Sequence, residues 1–232
     1  MQRILITGSN RGIGLALTKI ALENGDTVFA ACRNPAQAND LRALKDEYPQ
    51  HLQIITLDVN DEASIMDSVE QVRAFTGSLD VLINNAAINP PSTQNLDTLT
   101  MDEVDHVLRV NIAGPLLTVK AYLPLLKKGN HPRVSMTTSG LGSITLNAGS
   151  TYAYSISKTG LNMAAHLLAI DLRSEGIIVI ALDPGWVKTD MGGPGAVMEP
   201  STSARKQWQI INNLTIQDTG RFLRHDGANV PW

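Results

Sequence analysis

The chain has 232 residues, 43% of them hydrophobic, and a net charge of −3 from interspersed acids and bases. That length can bury a substantial core, and the lack of a clustered basic face argues against a nucleic-acid groove as its main business. The single cysteine, Cys32, excludes an internal disulfide, and no apolar stretch approaches the length of a membrane span.

The opening "MQRILITG" runs straight into a strand-like segment with no apolar signal segment, which points to a cytoplasmic protein. From there, strand-length apolar runs alternate with helical patterns. "RILIT" (3–7) precedes a helical stretch at 14–25, "TVFAAC" (27–32) one at 35–48, and "LQIITLD" (52–58) one at 62–75. "DVLINNA" (80–86) precedes a long helical stretch from Met101 to Leu126. Then come "RVSMTT" (133–138), a helix from about Thr151 to Ser174, "IIVIALD" (177–183), a short helix near 201–212 and "GRFLRHDG" (220–227). The alternation reads as one α/β domain over residues 1–232, a doubly wound parallel sheet of about seven strands with helices on both faces.

Local punctuation agrees with these boundaries. Asn34-Pro35 is an N-cap followed by proline, Gly25 and Gly176 are helix stops, and the proline-rich spots at 89–92 and 192–201 read as short loops. Ile13, Leu17, Ile20 and Ala21 share the face of the first helix that should pack on the sheet. Ligands in such sheets sit at the carboxyl ends of the strands.

Two stretches carry candidate chemistry. "ITGSNRGIG" (6–14) places Gly8, Gly12 and Gly14 between the first strand and the first helix, where a turn without Cβ atoms can lay its amides against a phosphate. An ordinary tight turn explains the same glycines. In "YAYSISK" (152–158), Tyr154 and Lys158 lie four apart on one helix face. A neighbouring ammonium favours the phenolate, so the pair predicts a tyrosine lowered toward neutrality and able to act as a general acid.

Further matches follow in register: "DV" at 58, "NNAA" at 84, Asn111, Ser139, "DPGWVKTDM" at 183 and "DGANVPW" at the end. With these the chain resembles the short-chain dehydrogenase/reductase family over nearly its whole length. "TTSGLGSI" and "PGWVKTDMGG" are similar to members of the carbonyl-reductase, Sniffer and C-factor type. The resemblance implies a Rossmann fold that reduces an aldehyde or ketone, reversibly, with a nicotinamide dinucleotide.

It also assigns roles to residues. Gly8, Gly12 and Gly14 would cradle the pyrophosphate with Ile13 packing there, and Asn10 and Arg11 in the same turn would also touch the cofactor. Asp58 and Val59 would hold the adenine, Asn85 and Ala86 the riboses, and Pro184, Val187 and Thr189 the carboxamide. Turn and capping chemistry accounts for each of these taken alone. Tyr154 would exchange the proton. Lys158 would lower its pKa and bind the ribose, Ser139 would donate to the carbonyl oxygen, and Asn111 would hold a proton-relaying water chain.

An acid at the end of the second strand would favour a free ribose 2′-hydroxyl. Cys32 stands there instead, followed by Arg33, and Arg11 adds a second cation. NADP(H) is therefore expected over NAD(H), although Arg33 also reads as a solvated strand end. Ser139, Leu141, Tyr154, Trp186 and Met191 are the expected substrate contacts, with Leu146 and Trp208 as further wall. The mostly apolar set favours an apolar carbonyl or alcohol. The loop at 192–200 is a candidate lid or an ordered turn.

Ala87 replaces the family's glycine and either strains the backbone or narrows the pocket. Only fourteen residues separate Ser139 from Tyr154, too few for the insertion that keeps some carbonyl reductases monomeric, so a homodimer or homotetramer is expected. The five histidines show no metal-ligand spacing; His106 and His166 read as ordinary helix residues, and no metal is assigned. The rival reading is an NADP(H)-binding regulatory protein with little turnover.

Overall fold

Alternate residues of a strand face opposite ways, so each apolar run feeds two cores. In β1 (Arg3–Thr7), Ile4 and Ile6 meet Leu17, Ile20 and Ala21 of α1 (Gly12–Glu23), while Leu5 faces the other side. The computed structural model describes residues 1–91, 95–149 and 151–232; Ser92, part of the expected loop at 89–92, lies outside them. The remaining strands are β2 (Thr27–Cys32), β3 (Leu52–Thr56), β4 (Val81–Asn84), β5 (Arg133–Thr137), β6 (Ile178–Asp183) and β7 (Phe222–Arg224). All seven pair in parallel in the order β3-β2-β1-β4-β5-β6-β7. The chain reverses its direction of winding between β1 and β4, and the carboxyl ends of those strands open the crevice in which such sheets bind ligands.

One face of the sheet carries α1, α2 (Asn39–Glu47) and α7 (Pro200–Asn213). The other carries α3 (Glu62–Arg73), α5 (Gly114–Leu126) and α6 (Tyr152–Leu172), with α4 (Met101–Leu108) leading into α5. Two expected helices differ in form. The stretch at 35–48 divides into a 3-10 turn, Pro35–Gln37, and α2, because Ala38 leaves the helical region (ψ 67°) and the Asn34 side chain makes no cap. The stretch at 101–126 winds continuously but widens into a π turn over Arg109–Ala113, which places Asn111 at its centre. Gly25 and Gly176 do end their helical segments, both at positive φ.

At the amino end of the sheet, away from the crevice, Asp80 ties three segments together. Its carboxylate accepts from the Arg3 amide (2.7 Å), the Arg3 guanidinium (2.7 and 2.8 Å) and the Asn130 amide (2.6 Å). Burial alone would raise the pKa of this group, yet those hydrogen bonds hold it below the usual carboxylate value. Asp80→Ala leaves a charge and two amides unsatisfied and is expected to cost about 3 kcal/mol. For a chain of this size that lowers the melting temperature by roughly 6–12 °C. A thermal melt that moved by less than a degree would show that water replaces the carboxylate.

Candidate active site

A cavity of about 430 Å³ opens over the carboxyl ends of β1, β2 and β4. The turn after β1 forms its floor. Gly8 lies at φ +68°, and a Cβ there would come within 3.0 Å of the Ala86 backbone. At Gly14 a Cβ would fall 2.2 Å from the Gly8 carbonyl oxygen, so that glycine closes the turn on itself and lies behind the cavity surface. Gly12 and Ile13 at the start of α1 line the cavity, and a helix N-terminus at that place favours an anion. Asn85 staples the turn to β4: its side chain donates to Thr7 O (2.9 Å) and Gly8 O (3.2 Å), while Thr7 Oγ1 accepts from the Asn85 and Ala86 amides at 3.0 Å.

Most of the expected cofactor residues line this cavity, from Gly8, Asn10, Arg11, Gly12 and Ile13 to Arg33, Asp58, Val59, Asn85, Ala86, Pro184 and Thr189. Several also do the plainer job the sequence allows. Asp58 Oδ1 accepts from the Asn60 amide (2.9 Å) and Thr189 Oγ1 from the Gly192 amide (3.1 Å). Val187 is buried behind the surface, bridged to Met198. Ala87 lines the cavity without positive φ, so it narrows the pocket and strains nothing.

Two of the four catalytic candidates, Tyr154 and Lys158, share one wall of the cavity, while Ser139 and Asn111 stand behind it. Tyr154 and Lys158 project from α6, with the Lys158 Nζ 5.5 Å from the centre of the Tyr154 ring and donating to Thr137 O at 2.7 Å. The Ser139 side chain lies close enough to Tyr154 to favour its phenolate, and Ser139 Oγ accepts from the Leu141 amide (3.2 Å). Expected and observed electrostatics differ here. Burial pushes the tyrosine up to about 12, against the influence of Ser139, and pushes Lys158 down to about 7. Desolvation is the largest cause for both groups, and the Asp183 carboxylate favours the proton on each, adding to the rise at Tyr154 and opposing the fall at Lys158.

Asn111 is fully buried and does not line this cavity. Its Oδ1 accepts from the Ile88 amide (2.9 Å), and its Nδ2 donates to Ile88 O (2.9 Å) and Ser157 Oγ (3.0 Å). Ser157 in turn donates to Tyr154 O (2.6 Å). The π turn thus fixes the end of β4 relative to the helix that bears the tyrosine, and Ser157 is a partner that the sequence reading missed.

The substrate side fits the expectations less closely. Met191 lines the cavity, whereas Leu141 and Leu146 lie on the loop beyond Ser139 and Trp186 stands outside, its Nε1 donating to Gly192 O (2.8 Å). Trp208 does not belong to the wall: it is buried with Ala204 and Ile211 in the core under α7. The loop at 192–200 is a turn tied by Lys188 N to Met198 O (2.8 Å) and Gly193 N to Thr189 O (3.0 Å). His106, read as an ordinary helix residue, lines the cavity, as do Cys32, Thr138 and Asp190. No spacing rule marks His106, Thr138 or Asp190, because tertiary packing alone brings them to the crevice, whereas Cys32 stands at the strand end where the sequence puts it. Among the described residues, no helix is long and apolar enough to cross a membrane.

Comparison with known proteins agrees with this geometry. The short chain dehydrogenase family matches residues 2–198. The carbonyl reductase Sniffer of D. melanogaster superposes with a TM-score of 0.95 at 36% identity, covering 100% of both chains. An NADPH-bound carbonyl reductase from chicken fatty liver gives 0.93 at 34% identity, covering 100% of this chain and 99% of that one. The C-signal protein of Myxococcus xanthus is 40% identical over 167 residues, 69% of this chain and all of that protein. A parallel seven-stranded sheet, a glycine turn at its crevice and a match over most of the chain lead to one conclusion: this protein belongs to the short-chain dehydrogenase/reductase family of oxidoreductases.

Proposed function

We propose that the protein is an NADP(H)-dependent reductase of apolar aldehydes and ketones, reversible in principle. The observation that carries this reading is the Tyr154 phenol and the Lys158 ammonium side by side on the wall of a cavity floored by the glycine turn, with Ser139 next to the tyrosine. A nicotinamide dinucleotide suits that cavity, because a Cβ at Gly8 would fill the cradle against Ala86 and the α1 amides favour a diphosphate. When bound, it supplies the hydride.

The chain's own residues supply positioning and the proton. Tyr154, protonated throughout the physiological range, donates its proton to the carbonyl oxygen as the alcohol forms. Ser139 donates a hydrogen bond to the same oxygen, strengthening as negative charge develops there. Lys158 holds a ribose hydroxyl and stabilises the phenolate left behind. Asn111 fixes the backbone at Ile88 and, through Ser157, at Tyr154; relay of the replacement proton is its proposed second task.

Arg33 is the proposed contact of a 2′-phosphate, and the NADPH in the chicken enzyme supports that choice. Exposed Ile144, Leu146, Trp186 and Met191 near the substrate side favour an apolar substrate. Exposed Tyr152, Ile156, Met163, Leu167 and Ile170 form one stripe along α6, which supports assembly as a dimer or tetramer.

The test is NADPH oxidation with a panel of aromatic aldehydes and diketones, repeated with NADH and with Arg33→Ala. NADPH is expected to exceed NADH at least about tenfold in kcat/KM, and Arg33→Ala to erase most of that margin, since a charge-assisted contact is worth about 1.5–3 kcal/mol. Equal use of both cofactors refutes the NADP(H) preference. Tight NADPH binding without turnover of any carbonyl favours instead a nucleotide-binding regulator, the role suggested by the name of the Myxococcus relative.

A further inference from the structure

The glycine turn and the end of β2 each bring a cation to the cavity, Arg11 and Arg33, but the structure treats the two differently. Arg11 Nη1 donates to Asp190 Oδ2 at 2.6 Å, and both side chains stay largely exposed, at 70% and 76%. Among the described residues, no carboxylate lies within ion-pair distance of Arg33. Asp190 follows Thr189 in the loop beyond β6, and it too lines the cavity.

Strand order gives this pairing its meaning. β2, which ends beside Arg33, is the immediate neighbour of β1 on one flank, while β6 lies three strands from β1 on the other. With strands about 4.8 Å apart, an Arg11 guanidinium drawn toward the β6 loop is drawn away from Arg33. The same two loops already touch, since a Cβ at Gly12 would come within 3.1 Å of the Thr189 methyl group. A phosphate held by Arg33 therefore has to compete with the Asp190 carboxylate for Arg11.

We propose that Asp190 is a specificity-setting residue: by holding Arg11 in an ion pair it limits how strongly the protein prefers a dinucleotide bearing a 2′-phosphate. Asp190 acts through Arg11 and is a positioning residue. The inference rests on the NADP(H) reading above. It separates the two arginines, giving Arg33 the standing 2′-phosphate contact and Arg11 a contact available only when Asp190 releases it. Exposed ion pairs are weak, so the effect is a modest one on affinity, and it falls on one cofactor.

The experiment is a fluorescence titration of NADPH and of NADH, at low salt and without carbonyl substrate, on the parent, Asp190→Asn, Asp190→Glu, Arg11→Ala and the double variant Asp190→Asn/Arg11→Ala. Asp190→Asn is expected to tighten NADPH binding about two- to fivefold, the range an exposed pair allows, and to leave NADH unchanged. Asp190→Glu, which keeps the carboxylate, should restore the parental ratio. In the Arg11→Ala background the Asp190→Asn gain should vanish. Equal tightening of both cofactors would reduce Asp190 to a general repulsive charge at the cleft and overturn the inference, as would a gain that survives Arg11→Ala, or no gain at all while NADPH still binds. Failure of the parent to bind NADPH would remove the cofactor reading itself and this inference with it.

Discussion

Tyr154→Phe is expected to fold, melt within a degree or two of the parent and bind the dinucleotide, yet lose about 10²–10⁴-fold in kcat for carbonyl reduction, the span that a positioned general acid contributes. The reasoning starts from packing. The tyrosine, on α6 at the cavity wall, is buried, and phenylalanine fills nearly the same volume. The lost hydroxyl does not orphan Ser139, whose Oγ still accepts from the Leu141 amide. What disappears is a proton on the cavity wall that burial keeps on the phenol up to about 12. Steady-state turnover with saturating NADPH, a thermal melt and a binding titration measure the three properties separately. A variant that keeps more than a tenth of the parental kcat would assign the proton to another donor, and one that loses NADPH binding would mean that the hydroxyl serves the cofactor.

The sequence carried the fold because its signals are local and repeated. Each strand is an apolar run closed by turn residues, each crossover helix shows a 3.6-residue stripe, and strict alternation leaves a parallel sheet as the way to bury both faces. The glycine turn and the Tyr154–Lys158 pair were legible for a related reason: backbone geometry in one case and helical spacing in the other reduce to positions along the chain. The sign of the tyrosine's shift was not legible. Spacing reveals that an ammonium is near, but desolvation depends on what the folded chain stacks around both groups. For the same reason Trp208 was placed on the pocket wall although it fills the core under α7, and His106 was passed over although it faces the cavity. Asn111 shows the intermediate case. Gly114 and Pro115, three and four residues further on, mark a place where a helix departs from regular winding, and the π turn runs up to them, but the bonds of Asn111 to Ile88 and Ser157 join residues 23 and 46 positions away.

Lys158→Met is expected to make the cofactor-free protein more heat-stable while lowering turnover about 10²–10³-fold, the usual loss when a preorganised stabilising charge is removed. Lys158 is buried, and its Nζ donates to Thr137 O; replacing such a charge with an apolar side chain of similar length commonly gains about 1–4 kcal/mol. The pH dependence identifies the cause. Burial lowers the folded-state value to about 7, against about 10.4 in an unfolded chain. Below pH 7 the ammonium is charged in both states and the full penalty of burying it is present. As pH rises from about 7 toward 10, the folded protein has released a proton that the unfolded chain still holds, so the stability of the parent climbs relative to the variant. Melts at pH 6 and pH 9 should therefore show a wide gap in favour of Lys158→Met that narrows at the higher pH. The activity of the parent should move the opposite way: kcat/KM for the dinucleotide, which reports groups of the free protein, should fall as pH rises through about 7, because the ammonium that would hold the ribose is then lost. A constant gap between the two melts, or a variant less stable than the parent at pH 6, would mean that the lysine is carried at no cost and that Thr137 and Asp183 compensate its charge in full.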